Sequence, residues 1–398
     1  MLNLLGFEFK KFVLKPHILL LLILCTAVNM VGTYASCRRI RLDEFSEAFT
    51  TLYDGFLQGE LTEEKINFVI TETERLQALT ADRTASHEMG TGTYTDFNVF
   101  GDFNFFYFLL YPEMEYAVSY SFTANEIVEK ASDNITFFEE KGNHYEVRVN
   151  EKIAARYANR VIHEFYDLRA MDNYLIYDFS NLVALLVCLV VIVPVFVSEK
   201  EAEMDKLLPA LKNGGGKLVQ TKVFFTFLVV LLVSLWFSLW DFIGFSLFSP
   251  LQNFDAPLYA IEIFQFTPLD ITISQYFLLN FIFKTIGLGA ITSLVLLASQ
   301  AFRKTLYAFA VSTVAVLIPY LSRLSEKRSF TFLELINPAL MLKNRQLFKL
   351  YSVQNILGYP IASPWVALIA AILLSSAALA LVVLFSNPVH PFKFNKKQ

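Results

Sequence analysis

The chain has 398 residues and a net charge of −4, and 55% of its residues are hydrophobic, including 40 phenylalanines. This composition is too apolar for an ordinary soluble domain and indicates a polytopic membrane protein. Its three cysteines exclude a disulfide-rich fold, so we expect no disulfide to support the structure.

The first 15 residues lack the basic start, apolar run and small-residue cleavage site of a signal peptide, so we expect them to stay in the mature chain. Leu2, Leu5 and Phe9 share one side of a helix, and Lys10 and Lys11 point away from that side. The pattern predicts an amphipathic interfacial helix over residues 1–15. A basic flank of the first span explains the same residues equally well.

Six apolar stretches are long enough to cross a bilayer, which takes about 20 helical residues because only a helix satisfies its own backbone groups in lipid. We therefore predict an all-α polytopic membrane protein with six transmembrane helices and a large, mostly helical domain between the first two. The predicted spans cover residues 16–37, 178–198, 223–246, 271–302, 305–322 and 364–386.

Lysine and arginine in the connections predict the orientation, because positive charge is retained on the cytoplasmic side. The N-terminal segment, the loop 199–222 and the tail 387–398 are basic, whereas the loop 247–270 has no Lys or Arg. We expect a multi-pass cell-membrane protein with both termini in the cytoplasm and residues 38–177 outside. The basic segment 323–363 conflicts with this orientation unless it is re-entrant or partly embedded.

The predicted outer domain is acidic, with 25 Asp plus Glu against 13 Lys plus Arg over residues 38–177, a net charge of −12. Such a domain attracts cationic ligands, although a merely solvated surface has the same composition. Helical spacing predicts helices over residues 42–58, 62–79 and 152–175, with Thr62 capping the second.

Residues 97–116 form an unusually aromatic segment of this domain, whose longest uncharged run is too short to span a bilayer. They form either a surface for lipid or an amphipathic substrate or the buried core of the outer domain. We favour the core, because large aromatic side chains are most often buried.

No catalytic or metal-binding pattern occurs in the sequence. The five histidines do not form a His-Glu-x-x-His motif, no Cys-x-x-Cys is present, and the Gly214–Lys217 stretch lacks the Ser or Thr of a phosphate-binding loop. We therefore expect a non-enzymatic chain without a cofactor or metal of its own. Asp241 and Lys284 are charges in or next to spans, where charge is costly and marks function by default, so they are candidates for a transport pathway. Asp241 is a conceivable partner of Lys284, although their estimated depths differ. Lys284 either faces a polar path through the protein or snorkels along its helix, and the sequence favours neither.

The loop 199–222 combines acidic residues at its start with an amphipathic helical pattern and a triple glycine at residues 214–216. Pro209 would end or kink so short a helix, and an ordinary charged connector is the alternative. The residues of interest are Glu199, Glu201, Glu203, Met204, Leu207, Leu208, Leu211 and Lys217.

Span two ends in FVSE at residues 196–199, and KLLPA at residues 206–210 and the pair Gly216-Lys217 follow before Lys222. This order, with six spans, resembles the permease subunits of ABC-2 type bacterial exporters. The large insert after span one is similar to that of the subgroup linked to export of, or immunity to, antimicrobial peptides.

The resemblance implies that the loop is a coupling helix that docks on a separate ATP-hydrolysing subunit, which holds the ATP and magnesium. It implies two ATPase copies, a second permease that is identical or related, and a re-entrant helical pair around residues 330–342. Membrane lipids and a hydrophobic or cationic peptide substrate are further expected partners, and nucleic acid is not. The alternatives are a receptor whose outer domain senses a ligand and whose loop recruits a signalling protein, and, less favoured, an intramembrane enzyme.

Overall fold

The structure is a computed structural model that describes residues 2–41, 46–81, 92–95, 98–204, 207, 215–321 and 330–386. It is mostly helical, with 78% of its residues in helices. Within the described residues, five helical segments are long and apolar enough to cross a membrane. These findings confirm a mostly helical, multi-pass membrane protein. The five segments are Pro16–Arg38, Arg169–Glu201, Gly216–Phe248, Ile273–Ala301 and Ser363–Ser386.

The N-terminal segment forms helix α1 (Leu2–Phe12), which is followed by α2 (Pro16–Arg41). Phe9 and Phe12 of α1 pack on Phe225, with ring centroids 5.1 and 6.0 Å apart. The predicted helix is therefore present and is anchored to a later span by aromatic contacts. Its position at a membrane surface stays a prediction.

The second candidate span consists of three consecutive helices, α8 (Arg169–Ile176), α9 (Phe179–Ile192) and α10 (Pro194–Glu201). Pro194 has no backbone N–H and cannot donate the hydrogen bond that would continue α9, so the helix is interrupted at this point. A proline is tolerated at the start of the next helix, α10, because the first N–H groups of a helix have no intrahelical partner. Most of the segment is buried, and it forms the centre of the bundle.

The remaining long helices are α11 (Gly216–Phe248), α12 (Ile273–Ala301), α13 (Thr305–Leu321) and α17 (Ser363–Ser386). Thr272 and Gln275 form a capping box that begins α12. The fifth predicted span, residues 305–322, corresponds to α13, whose 17 described residues are fewer than the about 20 that a span needs. The number of six spans therefore stays a prediction.

Five helices and two π-helical turns in the described residues build most of the domain between α2 and α8, which we call the outer domain after its predicted location, and a two-residue strand pair ties them together. Thr62 caps α4 as expected, since its Oγ1 accepts a hydrogen bond of 3.4 Å from the Lys65 N–H. Strand β1 (Gly59–Glu60) pairs antiparallel with β2 (Glu164–Phe165). The helical elements are α3 (Ser46–Leu52) with its π turn Tyr53–Leu57, α4 (Glu63–Ala81), α5 (Val99–Phe105) with its π turn Phe106–Leu110, α6 (Tyr111–Glu140) and α7 (His144–Tyr157).

The prediction of one long helix over residues 152–175 is wrong. Helix α7 ends at Tyr157, and Asn159 has a φ of +61°, a left-handed conformation that does not continue an α-helix. The buried Arg160 side chain then donates a 2.8 Å hydrogen bond to the Thr267 carbonyl, and strand β2 follows. Tertiary contacts of this segment therefore replace the helical backbone bonds that the spacing predicted.

The aromatic segment 97–116 contributes to the core of the outer domain, as expected, but only with one face. Phe105, Phe106 and Leu110 are fully buried in the cluster around α3 and α4. Phe108, by contrast, is 68% exposed. The segment therefore combines a core face with an exposed aromatic face.

The outer domain is held to the connection between α11 and α12 by side chains that bond to backbone carbonyls. Tyr116, Tyr120, Arg160 and Arg156 donate to the carbonyls of Tyr259, Gln265, Thr267 and Pro268 at 2.6, 3.3, 2.8 and 3.0 Å. These bonds attach the outer domain to the connection between the end of α11 and the start of α12.

Three short helices and a hairpin lie between the described end of α13 and α17. They are α14 (Phe332–Ile336), α15 (Ala339–Leu342), α16 (Arg345–Phe348), β3 (Val353–Ile356) and β4 (Tyr359–Ala362). Helices α14 and α15 occur where the resemblance implies a helical pair. Whether they enter a bilayer stays a prediction.

Candidate functional site

A cavity of about 430 Å³ lies among α9, α11 and α12, and it brings together the two charges singled out in the sequence. Both Asp241 of α11 and Lys284 of α12 line it. We refer to it as the central cavity. Its other lining residues are Tyr174, Ser180, Asn181, Ala184, Ser234, Leu235, Phe237, Ser238, Leu239, Phe242, Ser274, Phe277, Leu278, Asn280, Phe281, Leu288 and Leu342.

Asp241 is held in place by a hydrogen bond from another helix. It is 5% exposed, and its Oδ1 accepts a 2.6 Å bond from the amide of Asn29, which is itself fully buried on α2. Ser180 of α9 lines the cavity beside this carboxylate. The Tyr177 hydroxyl bonds to Asn29 Oδ1 at 3.1 Å. Although it lies in an apolar helix, the Asp241 carboxylate therefore has a buried polar partner that compensates for its loss of water and fixes its position.

Lys284 extends into the same cavity from α12 and is half-buried. Its positive charge acts on both Asp241 and Asp178. Within the described part of the chain, however, its ammonium group forms no ion pair at 4.0 Å or less. The cavity therefore contains opposite charges on separate helices that attract each other without contact.

Buried amides continue the polar region towards the short helices. Asn181 of α9 donates to the Leu342 carbonyl at 2.8 Å, and Asn344 donates to Asn280 Oδ1 of α12 at 2.8 Å. The Tyr276 hydroxyl completes this chain by donating to Asn344 at 3.1 Å. These bonds attach the 339–344 segment to the wall of the central cavity.

The mouth of the central cavity is apolar. Leu235 and Leu239 of α11 and Leu278 of α12 line it, and each is more than half exposed. The cavity therefore opens between α11 and α12 onto an exposed, apolar face of the bundle.

A charged cluster lies where α10 leads into the loop and α11 leaves it; we define it as Glu8, Lys11, Glu199 and Lys222. Glu199 forms an ion pair with Lys11 at 2.8 Å and a second with Lys222. The fully buried Lys222 also donates to the Val195 carbonyl at 2.7 Å. Three elements, α1, α10 and α11, thus meet on one glutamate.

Glu8 is the fourth member of the charged cluster and is only 1% exposed. Its Oε2 has no hydrogen-bond partner in the part of the chain that the structure describes. Burial raises the pKa of the Glu8 carboxyl, while the positive charges of Lys222 and Lys11 oppose this increase.

The predicted docking residues differ in the contacts they make. Glu199 belongs to the charged cluster, and Glu201 accepts a 2.6 Å hydrogen bond from the Thr305 hydroxyl of α13. Glu203, Met204, Leu207 and Lys217 are exposed, with Glu203 at a φ of +54° just after the end of α10. Leu208 and Leu211 lie outside the described residues.

Sequence reasoning missed Glu8, Asn29 and the buried role of Lys222. Lys222 is separated from Glu199 by an entire loop, so only the folded chain brings the two together. A glutamate on the apolar side of the N-terminal helix was the available signal for Glu8.

A second cavity, of about 290 Å³, lies between the outer domain and the α11–α12 connection. Its lining includes four carboxylate residues and several aromatic rings, among them Tyr166. Burial, followed by the nearby charges of Glu164 and Asp255, raises the pKa of Tyr166 to about 12. The acidic side chains are Glu113, Glu164, Asp172 and Glu262.

Comparisons with protein-family profiles, curated protein sequences and solved structures give no significant match.

Proposed function

We propose that this chain is the membrane-spanning, non-catalytic subunit of an ATP-driven exporter similar to the ABC-2 type permeases. In the assembly, it pairs with an identical or related permease and with two copies of a separate ATPase, which supplies ATP and magnesium chemistry. Its substrate is a hydrophobic or amphipathic molecule, with a cationic antimicrobial peptide as the first candidate.

The observation that carries this proposal is the central cavity. Asp241 and Lys284 lie on helices that are long and apolar enough to span a membrane, and they face a common space. Charges inside spans are costly in lipid and mark substrate or ion pathways by default. A purely structural bundle gains nothing from a polar space between its helices, whereas a transporter requires one.

The loop between α10 and α11 supports the assignment of an ATPase-docking role. Met204 and Leu207 are exposed apolar residues there, and such residues are suited to contact with a partner. The loop is attached to the bundle at both ends, through Glu201 to Thr305 and through Glu199 to Lys222. Contacts at the two ends of the loop therefore connect it to α10, α11 and α13.

Helix α11 connects the loop to the central cavity. Lys222 and Asp241 lie on it 19 residues apart, which corresponds to about 28 Å of helix. When the ATPases close, a tilt of α11 moves Asp241 relative to Lys284 and changes access to the cavity. The ATP-driven step and the pathway are thus joined by one rigid element.

The test uses the full chain together with its ATPase in proteoliposomes. We expect the pair Leu207→Asp and Leu208→Asp to abolish co-purification of the ATPase, because charge replaces the apolar contact. Leu357→Asp is a matched control, since Leu357 is 95% exposed at the tip of the β3–β4 hairpin, far along the chain from the loop. Retention of the ATPase by the double variant contradicts the coupling role.

A second arm separates transport from sensing. Lys284→Met should keep the ATPase bound but remove the stimulation of ATP hydrolysis by substrate, since the change lies in the pathway and not at the docking surface. If the chain is instead a receptor with a signalling partner, no ATPase co-purifies with the wild type, and ligand binding to the outer domain occurs without ATP.

A further inference from the structure

We propose that the central cavity binds the headgroup of a zwitterionic phospholipid from the surrounding bilayer, with the phosphate at Lys284 and the ammonium at Asp241. This inference goes beyond the proposed function, because a lipid can occupy the cavity whether or not an ATPase binds the chain.

The charges of the cavity select a ligand that carries both signs. Lys284 and Asp241 line one space from neighbouring helices, and their charges interact although the described residues show no ion pair between them. An anion alone would be attracted by Lys284 and repelled by Asp241, and a cation alone would experience the reverse. A headgroup with a phosphate and an ammonium satisfies both groups at once.

The buried polar lining is a built site for such a headgroup. Ser180, Asn181 and Asn280 line the cavity and are each more than nine-tenths buried. Hydrogen bonds to Leu342 and Asn344 hold the Asn181 and Asn280 side chains in place. The polar atoms are therefore preorganised, so little ordering accompanies the binding of a ligand.

The apolar mouth explains why the occupant is a lipid and not a water-soluble zwitterion. The cavity volume of about 430 Å³ accommodates a headgroup but not acyl chains. Leu235, Leu239 and Leu278 are exposed at its mouth, where acyl chains can lie along α11 and α12. A headgroup that enters from the bilayer thus keeps its chains in an apolar environment.

The test is a titration of the purified full chain in mild detergent, read by native mass spectrometry. Phosphatidylethanolamine and phosphatidylglycerol with identical acyl chains are the probes. We expect phosphatidylethanolamine to bind at least about tenfold more tightly, because it alone satisfies both charges. Asp241→Asn should weaken phosphatidylethanolamine and strengthen phosphatidylglycerol, so that the preference disappears, and Lys284→Met should weaken both.

Leu278→Trp provides a variant that leaves the buried polar groups untouched. It narrows the exposed mouth and should lower the occupancy of both lipids, which keeps the proposal testable if the charge variants fail to fold. Asp133→Asn and Lys130→Met, on the exposed face of α6, remove one charge of each sign as controls and should change neither affinity.

Three results would overturn the proposal. They are equal binding of the two lipids by the wild type, an unchanged preference in Asp241→Asn, and displacement of lipid by free phosphoethanolamine at an equal concentration. The assay contains no ATPase, so its failure is distinguishable from failure of the proposed exporter function.

Discussion

At the scale of single residues, Lys222 shows how a charge is accommodated in an apolar helix. No charged side chain in the described part of the chain is more completely buried. Its ammonium bonds to Glu199 and to the Val195 carbonyl and lies 4.5 Å from the centre of the Phe196 ring. All three partners are on α10, so Lys222 holds α11 against α10, the last helix of the second candidate span.

We predict that Lys222→Met destabilises the protein by about 3 kcal/mol or more, because removal of one partner from a buried ion pair leaves the other uncompensated. The measurement is thermal unfolding in detergent. Lys130→Met removes an exposed lysine paired with Glu126 and should change stability by less than about 0.5 kcal/mol.

A double variant distinguishes the loss of charge pairing from a general packing defect. Lys222→Met combined with Glu199→Gln removes both charges of the pair and should recover much of the lost stability. If the double variant is as unstable as the sum of the two single variants, Lys222 contributes through its packing alone.

Glu8 makes stability depend on pH. Its pKa is raised in the folded state, so the folded protein binds the proton more tightly than the unfolded chain does. The stabilisation is complete below the ordinary glutamate pKa of about 4.3 and is lost as the pH rises through the higher folded-state value. The neighbouring charges that modulate this loss are Lys222, Lys11 and Glu199.

Glu8→Gln should therefore lose less stability than the wild type when the pH is raised from about 4 to 7, because an amide does not ionise. Thermal unfolding over a pH series measures the difference in slope. Glu129→Gln, on the exposed face of α6, serves as the control. Equal slopes for Glu8→Gln and the wild type would contradict the prediction.

At the scale of elements, the contact between α12 and α15 depends on a glycine. A Cβ atom at Gly287 would lie 2.8 Å from Met341 Cβ and 3.0 Å from the Pro338 carbonyl oxygen. Both distances are below ordinary van der Waals contact. Gly287 thus permits the short helix to pack directly on the backbone of α12, next to the central cavity.

We predict that Gly287→Ala destabilises the protein by about 1–3 kcal/mol, because overpacking forces α15 away from α12. Gly289→Ala is a matched control two residues along the same helix, where the nearest atom, Val230 Cγ1, is 3.9 Å from the added Cβ. Alanine should be neutral there or stabilise the helix by up to about 1 kcal/mol. The measurement is the thermal unfolding midpoint of each variant. Equal midpoints for Gly287→Ala and Gly289→Ala would contradict the close-contact explanation.

At the scale of the whole molecule, the described structure has three parts along the direction of the long helices. The outer domain and the α11–α12 connection form one end, the helical bundle with the central cavity forms the middle, and the C-terminal end of α10, the start of α11 and the charged cluster form the other end. Lysine distribution predicts that the loop end is cytoplasmic.

Cysteine labelling tests this orientation. In a chain whose three native cysteines are replaced by serine, a membrane-impermeant maleimide should label Ser132→Cys on intact cells. Lys217→Cys should be labelled only after permeabilisation. Both positions are exposed in the structure. If the maleimide fails to label one of them on intact cells, the membrane and not burial in the protein is therefore the barrier. The reverse pattern would invert the proposed topology.

Composition and local patterning were sufficient for the fold class. Long apolar runs can satisfy their backbone groups in lipid only as helices, so α2, α11, α12 and α17 were predictable from the sequence alone. Thr62 as a helix cap followed from local chemistry in the same way. Asp241 and Lys284 also stood out in the sequence as candidates, because isolated charges in apolar runs are costly.

Long-range contacts decided the rest. The sequence offered Asp241 only as a conceivable partner of Lys284 and did not place both in one cavity. It did not predict that Glu199 pairs with Lys222 and Lys11, or that the chain between Tyr157 and Arg169 leaves the helix. Each depends on partners more than 20 residues away along the chain, such as Asn29 for Asp241 and Thr267 for Arg160. Helical periodicity reports which face of a segment is apolar, but only tertiary packing determines which other segment that face meets.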